Sequence, residues 1–452
     1  MNPKRVLGSL FASFAVACAG KSLTVDDDPA PTDTESDSSA GSSGGSSPEG
    51  SGGSDATSDS GGSSPGGSGG SDATSDSGGS SPGGSGGSSP GGSGGSDATS
   101  DSGGNTTSGG PASLPCDLLE ADGHPCVAAH STVRVLRSAY EGPLYQLCKG
   151  PAYAGPGSCA GDALDIAATP NGYADSAAQD ALCVDDACSI TIVYDQSGQG
   201  NHLEPAPGAN SSINPNSAGP VNASALPVTI GGHDAYGMLL RPGMGYRAGC
   251  NGCTTPIGQS MPVNDEPQTV YMVTSQHDLI DGCCFDYGNA ETSTDNDGNG
   301  TMEAVYFGQG VIWGTGSGEG PWVMADLENG LYPGWEHNQE QNISTNTTLA
   351  HDFVTAVVVG DTAEKNNGFG RFALYGGDAQ SGELKTMWDG VRPNKPGYAP
   401  MMKRGSIVLG IAGDNSNGAG GRFYEGVIAT GAASEATVGA LQAAIVAAGY
   451  EQ

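Results

Sequence analysis

Residues 321–330 read PWVMADLENG, and they decide how the rest of the chain is read. A β-strand places successive side chains on opposite faces. Trp322, Met324, Asp326 and Glu328 then share one face, and Val323, Ala325 and Leu327 the other. The aliphatic set suits a core. The acidic set carries two carboxylates two residues apart, and an unpaired buried charge is costly. Either that face is solvated, as acidic faces usually are, or its carboxylates perform chemistry. Trp313 and Trp322 bracket the stretch, and aromatic rings beside carboxylates are common walls of sugar sites.

Working outward, short β-branched and aromatic runs recur with Gly, Asn and Asp between them. They are 189–194 (SITIVY), 269–274 (TVYMVT), 303–307 (EAVYF), 353–359 (FVTAVVV), 372–375 (FALY), 406–411 (SIVLGI) and 423–429 (FYEGVIA). This is the pattern of an all-β domain. Helical spacing is clear at the C-terminus, where Ser434 is a candidate N-cap, Glu435 follows in the first turn, and Val438, Leu441, Ile445 and Ala448 repeat at helical intervals. The expected fold is a two-sheet β-sandwich of jelly-roll type with a C-terminal helix.

The first quarter of the 452-residue chain cannot build a core. Lys4 and Arg5 precede a short apolar run over 6–17, which reads as a signal peptide and is short for a membrane span. Ala15-Val16-Ala17-Cys18 resembles a bacterial lipobox, with Ala15 where leucine is usual. Cys18 is therefore a candidate lipid-bearing N-terminus, and cleavage near Ala17 or Ala19 is the alternative. In the stretch 19–113, SDATSDSGG begins at Ser54, Ser71 and Ser96, and SSPGGSGG at Ser63, Ser80 and Ser88. Such Gly/Ser repeats hold too little apolar surface to offset ordering entropy. They are expected to form a disordered linker of roughly 50 Å root-mean-square reach. The globular domain is expected over 114–452.

The chain carries 16 basic and 50 acidic residues, a net charge of −34. A nucleic-acid partner needs a basic face, so that class is excluded. Binding to an anionic membrane surface is disfavoured, which leaves a lipid at Cys18 as the membrane contact. A neutral substrate fits better. The expected location is extracellular or at the cell surface, as a bacterial lipoprotein.

Eleven cysteines less Cys18 leave ten, an even number in an exported chain, which implies disulfides. Spacing suggests local pairs: Cys116 with Cys126, Cys148 with Cys159, Cys183 with Cys188, and Cys250 with Cys253. Zinc is a rival reading for Cys250-x-x-Cys253, but no second ligand pair follows at suitable spacing. Cys283 and Cys284 are adjacent. Adjacent cysteines usually bond to different partners, because neighbouring Cα atoms lie only about 3.8 Å apart, below the usual disulfide range. If the other eight pair locally, a vicinal bridge is what remains.

Other motifs carry less. Gly198-Gln199-Gly200 lacks a following phosphate-binding helix and reads as a turn. Residues 295–300 (DNDGNG) resemble a calcium loop without its closing glutamate. The histidines form no close pair for zinc, and Ser317 lacks the strand–elbow–helix context of a serine hydrolase. No metal and no cofactor are expected.

The strings 281–292 (DGCCFDYGNAET), 321–329 (PWVMADLEN) and 413–418 (GDNSNG) together resemble the catalytic domain of glycoside hydrolase family 54, the α-L-arabinofuranosidase B family. The stretches 115–126 (PCDLLEADGHPC), 127–132 (VAAHST), 144–147 (LYQL), 194–203 (YDQSGQGNHL) and 423–427 (FYEGV) agree, so the resemblance runs from about Cys116 to Tyr450. It implies a sandwich of the concanavalin A-like lectin and glucanase type. It also implies retaining hydrolysis of terminal α-L-arabinofuranosyl groups on arabinan or arabinoxylan. Glu328 matches the nucleophile and Asp414 the general acid/base. Asp326 and Asn329 match residues that hold arabinose hydroxyls, Gly413 a backbone contact, and Trp313 a nearby aromatic wall. Gly330 stands where fungal members often carry a larger residue, so its expected contact is through backbone. Cys283 and Cys284 match a vicinal disulfide that packs against the sugar. Cys148 with Cys159, Cys250 with Cys253, and the long N-terminal tether look like additions to the family pattern. Fungal members continue into an arabinose-binding β-trefoil module, whereas this sequence ends at Gln452, and a weaker hold on polymer is the expectation.

Retaining hydrolysis needs two carboxyl groups about 5–5.5 Å apart, one to attack the anomeric carbon and one to protonate the leaving oxygen. Glu328 is expected to be presented rigidly by a strand, and the charge on Asp326 to oppose protonation of Glu328. The rivals are a non-catalytic sugar-binding sandwich and a glycosidase of related specificity, a β-xylosidase or galactofuranosidase. A monomer is expected.

Overall fold

The computed structural model describes residues 113–452 apart from 156, 186, 210–215, 257–259, 311, 344 and 363–367. The expected signal peptide, Cys18 and all but the last residue of the expected linker lie outside the described residues. The strands of the two main sheets are, in chain order, β1 (Cys126–Ser131), β2 (Glu204–Pro205), β3 (Tyr246–Ala248), β4 (Gln268–Thr274), β5 (Asp286–Ala290), β6 (Glu303–Gly308), β7 (Trp322–Asp326), β8 (Leu331–Tyr332), β9 (Val354–Asp361), β10 (Arg371–Asp378), β11 (Lys385–Val391), β12 (Ser406–Leu409) and β13 (Glu425–Thr430). A six-stranded sheet has the order β1-β13-β4-β9-β10-β11, and a seven-stranded sheet the order β8-β7-β6-β5-β12-β3-β2. Neighbours in both are antiparallel, as in β4 against β9 and β6 against β7.

The two sheets pack face to face, with β6 against β9 and β7 against β10. Val270 and Met272 of β4, Ala356 and Val358 of β9, and Leu374 of β10 join Val305, Phe307, Val323 and Ala325 in one buried cluster. Burial of each large aliphatic side chain contributes about 1.5–3 kcal/mol. The alternate residues of β4, Tyr271 and Val273, belong to a second cluster with Val357, Val427 and the C-terminal helix. Both faces of the six-stranded sheet are therefore covered, which explains why its strands read as continuous apolar runs rather than alternating ones.

Among the described residues there are three helices: α1 (Pro115–Ala121), α2 (Ser176–Leu182) and α3 (Glu435–Ala448). Helix α3 begins at Ser434, whose Oγ accepts from Thr437 N at 3.2 Å, and stops at Gly449, left-handed at φ 72°. Its buried Val438, Leu441, Ile445 and Ala448 lie over the six-stranded sheet. The two seven-residue helices escape sequence reading because two turns bury too few side chains to show a period.

The stretch 423–429, expected as one strand, is divided at Tyr424. Gly421–Phe423 pairs with Met238–Leu240 outside the main sheets, and β13 begins at Glu425. Tyr424 N donates to Val273 O, and its ring packs on Phe353 and Tyr450, so it turns the chain from one pairing to the next.

The described cysteines form five disulfides: Cys116–Cys126, Cys148–Cys159, Cys183–Cys188, Cys250–Cys253 and Cys283–Cys284. The last has Cα atoms 3.0 Å apart across a cis peptide, not the trans spacing on which the objection to a vicinal bridge rested.

Candidate active site

All five residues of β7 are buried, so the solvated-face reading of 321–330 fails. Val323 and Ala325 enter the intersheet core. Trp322 and Met324 belong instead to a separate buried cluster with Tyr306, Leu331, Ala412 and Cys284, and the last three of these line a pocket on the outer face of the seven-stranded sheet.

Strand β7 ends at Asp326, two residues short of Glu328. Glu328 therefore sits in a turn, contrary to the expectation that a strand presents it. Glu328 and Asn329 are both left-handed, with φ of 60° and 55°, and Gly330 takes 151°, where glycine is favoured. Left-handed residues other than glycine cost of order 1–3 kcal/mol each and persist where surroundings enforce them. Here Glu328 N donates to Asp326 Oδ1 at 3.0 Å. Tyr398 donates its hydroxyl to Glu328 O at 2.7 Å and is itself hydrogen-bonded to Tyr332 at 2.9 Å. The turn returns the Glu328 side chain to the pocket that Asp326 lines.

Three more segments complete the walls. The vicinal Cys283–Cys284 bridge precedes β5, and Cys283 O accepts from Gly418 N at 3.1 Å, tying it to the loop that follows β12. That loop supplies Asp414, partly buried, whose Oδ1 accepts from Ser416 N at 2.8 Å. Trp313, half exposed, lies at the pocket wall. Glu328, Asp414, Asp326, Asn329, Gly330, Trp313, Cys283 and Cys284 thus line one pocket. Gly413 lies behind it. A Cβ on Gly413 would overlap Glu291 Oε2 and stand 2.8 Å from Glu328 Oε2, so only glycine leaves room for the two carboxyls.

Sequence reading did not single out four residues that the structure joins to this group. Asp286 and Glu291, inside the quoted string 281–292, are fully buried beside Asp326 and Glu328. Asn296 lines the pocket from the calcium-like loop. Its Nδ2 donates to Asn329 Oδ1 at 2.6 Å, and Asn329 Nδ2 donates to Asn299 Oδ1 at 3.1 Å, so this loop holds Asn329. Arg247 of β3, fully buried, donates to Gly413 O at 2.6 Å, to Asn415 Oδ1 at 2.7 Å and to Glu291 O. No motif marks Arg247; its role emerges from the pairing of β3 with β12.

Burial is the leading cause of the raised proton affinity of these carboxyls, and the negative charge of neighbouring acids adds to it at Asp286, Asp326 and Glu328. No N–H or O–H donor reaches the Asp286 carboxyl, whose partner is the carboxyl of Asp326. Burial, then Asp326, pushes Asp286 well above the usual range. Asp326 is pushed up to about 7, chiefly by burial, with Glu291 and Asp414 adding to it. Burial and then Glu291 push Glu328 up to about 12, and Glu291 is itself raised by burial. The expectation that Asp326 opposes protonation of Glu328 has the wrong sign, because a like charge disfavours the ionised form. Burial lowers Arg247 to about 10 against the pull of Glu291, Glu328 and Asp414. Among the described residues, one cluster has metal-ligand atoms within 4.8 Å: Cys283, Cys284 and Asp326. Its sulfurs are bonded to each other, so it offers no thiolate.

An antiparallel two-sheet sandwich with an acidic, tryptophan-walled pocket on one outer face defines the class as the lectin and glucanase type. The chain belongs to the family of the α-L-arabinofuranosidase B catalytic domain, since the model described as "Alpha-L-arabinofuranosidase B, catalytic" matches residues 115–451. A probable α-L-arabinofuranosidase B of Aspergillus fumigatus is 49% identical over 340 residues, covering 74% of this chain and 62% of the relative. An arabinofuranosidase/β-xylosidase of Trichoderma koningii is 47% identical over 344 residues, covering 75% and 63%. The crystal structure of an arabinofuranosidase complexed with arabinofuranosyl-α-1,2-xylobiose is 42% identical with a TM-score of 0.66, covering 75% of this chain and 65% of that one. The chain thus spans less than two thirds of the length of these relatives.

Proposed function

We propose that the chain hydrolyses terminal, non-reducing α-L-arabinofuranosyl groups of arabinan- or arabinoxylan-type polysaccharides with retention of configuration. The observation that carries this is the convergence of Glu328, from the turn after β7, and Asp414, from the loop after β12, on one small pocket. Glu328 attacks the anomeric carbon, and the bond to the leaving oxygen breaks as Asp414 protonates that oxygen. Asp414 then takes a proton from water, whose oxygen attacks the same carbon and releases Glu328. Asp326 and Asn329 hold sugar hydroxyls, Gly330 and Gly413 offer backbone, and Trp313 with the Cys283–Cys284 bridge packs against the ring. A non-catalytic sugar-binding domain has no need of this carboxyl pair.

The test is hydrolysis of an aryl α-L-arabinofuranoside, with the matching β-xyloside and galactofuranoside alongside. Dominant turnover of either rival substrate overturns the reading. A secondary β-xylosidase activity is the rival with specific support, from the double description of the Trichoderma koningii relative. Asp414→Asn should spare substrates with good leaving groups and cripple those with poor ones; equal losses would remove Asp414 from the acid role.

We further propose that residues 114–452 are the catalytic unit, monomeric and acting outside the cytoplasm, as its disulfides suit an oxidising compartment. Residues 19–113 would then tether it through a lipid on Cys18. Cys18→Ser should release the protein from membranes, and unchanged fractionation would exclude the anchor.

A further inference from the structure

Glu291 is a buried acid beside Glu328 for which the proposed reaction gives no role. It directly follows β5 and has no exposed surface. Thr301 Oγ1 donates to its Oε1 at 2.8 Å. No N–H or O–H reaches its Oε2, and a Cβ on Gly413 would overlap that oxygen and stand 2.8 Å from Glu328 Oε2, so the two carboxyls face each other across the space that Gly413 leaves open. Two ionised carboxylates only accept hydrogen bonds and repel each other, so a buried pair that faces each other in this way needs at least one proton. The missing Cβ of Gly413 is what allows this approach, since any side chain there would displace Glu291 Oε2.

We infer that Glu291 is the proton-holding partner of Glu328: the two carboxyls keep one proton between them, and Glu291 holds it whenever Glu328 attacks. The inference rests on the nucleophile reading above. As Glu328 forms its bond to the anomeric carbon, the bond to the leaving oxygen breaks and that oxygen takes the Asp414 proton. The shared proton is then wholly on Glu291 and is donated to the oxygen of Glu328 that is not attacking. In the second half-reaction the same hydrogen bond stabilises Glu328 as it leaves, so no proton is gained or lost by the pair over the cycle. Glu291 touches no substrate and is a positioning residue.

The groups facing the pair set its pH response. They are Asp286 of β5, Asp326 at the end of β7, Asp414 after β12, and Arg247 of β3, with Asp297 acting on Arg247 from the loop after β5. Arg247 is the cation among them, and its hydrogen bonds here go to neutral oxygens. Without the Glu291 proton, Glu328 would have to ionise in a buried site against the remaining acids.

The test compares Glu291→Gln with Glu291→Met on a nitrophenyl α-L-arabinofuranoside, whose good leaving group removes the need for Asp414. The amide of Gln imitates protonated Glu291 and can donate to Glu328; Met has similar bulk and cannot. The expected result is that Glu291→Gln keeps kcat/KM within about 10-fold of the natural protein. Glu291→Met is expected to lose about 100-fold at neutral pH, with the acidic limb of its pH profile displaced upward. KM should change little in either. A Met variant within about 3-fold of the natural protein, or equal losses in both variants with an unmoved acidic limb, overturns the inference. Melting curves identify a variant that is simply misfolded, and in that case the Gln variant alone decides, a loss well beyond 10-fold overturning the inference. Glu328→Gln is run alongside: if it retains turnover, the nucleophile reading fails; if it is inactive while both Glu291 variants behave as the natural protein, only the Glu291 inference fails.

Discussion

Ala304 of β6 pairs with Asp326 of β7, and the residue before it, Glu303, points through the opposite face of the same sheet. Both acids are buried, yet they are treated in opposite ways. Glu303 Oε1 accepts from Arg392 at 3.2 Å and Oε2 accepts from Lys403 at 2.9 Å. Burial alone would raise it, but the two cations outweigh burial and hold it below the usual carboxylate range. Asp326 meets no cation among the described residues, and burial, with Glu291 and Asp414 adding to it, raises it. A sheet one residue thick thus separates a neutralised acid that serves the fold from an un-neutralised cluster that serves the pocket. The difference teaches where to look for chemistry: not at buried charge, but at buried charge of one sign whose nearest cation is engaged elsewhere.

The contrast can be broken at either end. Glu328→Gln should lower turnover by about 10⁴-fold or more while leaving the melting temperature unchanged or higher, since it removes a member of a repelling group. Near-normal turnover in a clean preparation would sink the assignment. On the other face, Lys403→Met should destabilise by about 3 kcal/mol, because it leaves a buried carboxylate short of a partner. Its turnover per folded molecule should stay the same, and chemical denaturation beside kinetics reads both quantities. Gly413→Ala should cost about 100-fold in turnover through displacement of Glu291 and Glu328, with a far smaller effect on KM.

Acidity sharpens the comparison further. Asp326, with a folded pKa near 7, binds more protons folded than unfolded above the unfolded value of about 3.9. Its stabilising contribution is full below that value and is lost as pH rises through about 7. Glu303, held low, contributes above its unfolded value of about 4.3 and loses that as pH falls through its folded value. Melting temperature followed from about pH 4 to 7 should therefore decline less steeply in Asp326→Asn than in the natural protein. An identical slope would mean that Asp326 is not raised. The smallest expected effect on stability is that of replacing Cys283 and Cys284 together by Ala. That bridge closes no long loop, so the chain-entropy contribution is small, and substrate binding should weaken more than the melting temperature falls.

The sandwich was legible because 269–274, 303–307 and 353–359 are dense in β-branched or aromatic residues, and α3 because an N-cap coincides with helical spacing of apolar residues over its fourteen residues. The turn holding Glu328 was not legible. Nothing in LEN announces two consecutive left-handed residues, which are imposed by Tyr398 and Asp326 from elsewhere in the chain. Glu291 lay within a string already quoted, but its partner is 37 positions away in sequence, and period-two reading gives no distance across a sheet. The loop 295–300 was read for its resemblance to a metal site, whereas its asparagines hold Asn329 by amide-to-amide hydrogen bonds.

Those asparagines have a chemical consequence of their own. Asn299 and Asn329 are each followed by glycine. Without a side chain to hinder it, the glycine nitrogen readily attacks the preceding amide carbon and expels ammonia, and hydrolysis of the ring leaves a carboxylate or an isomerised backbone. At Asn329 that would remove the donor that reaches Asn299 and add another negative charge beside Glu328. Shelf life in warm, mildly alkaline solution should then be governed by the ageing of this amide chain rather than by unfolding. Activity would decay in step with the acidic peptide forms of 329–330 while the melting curve stayed where it began.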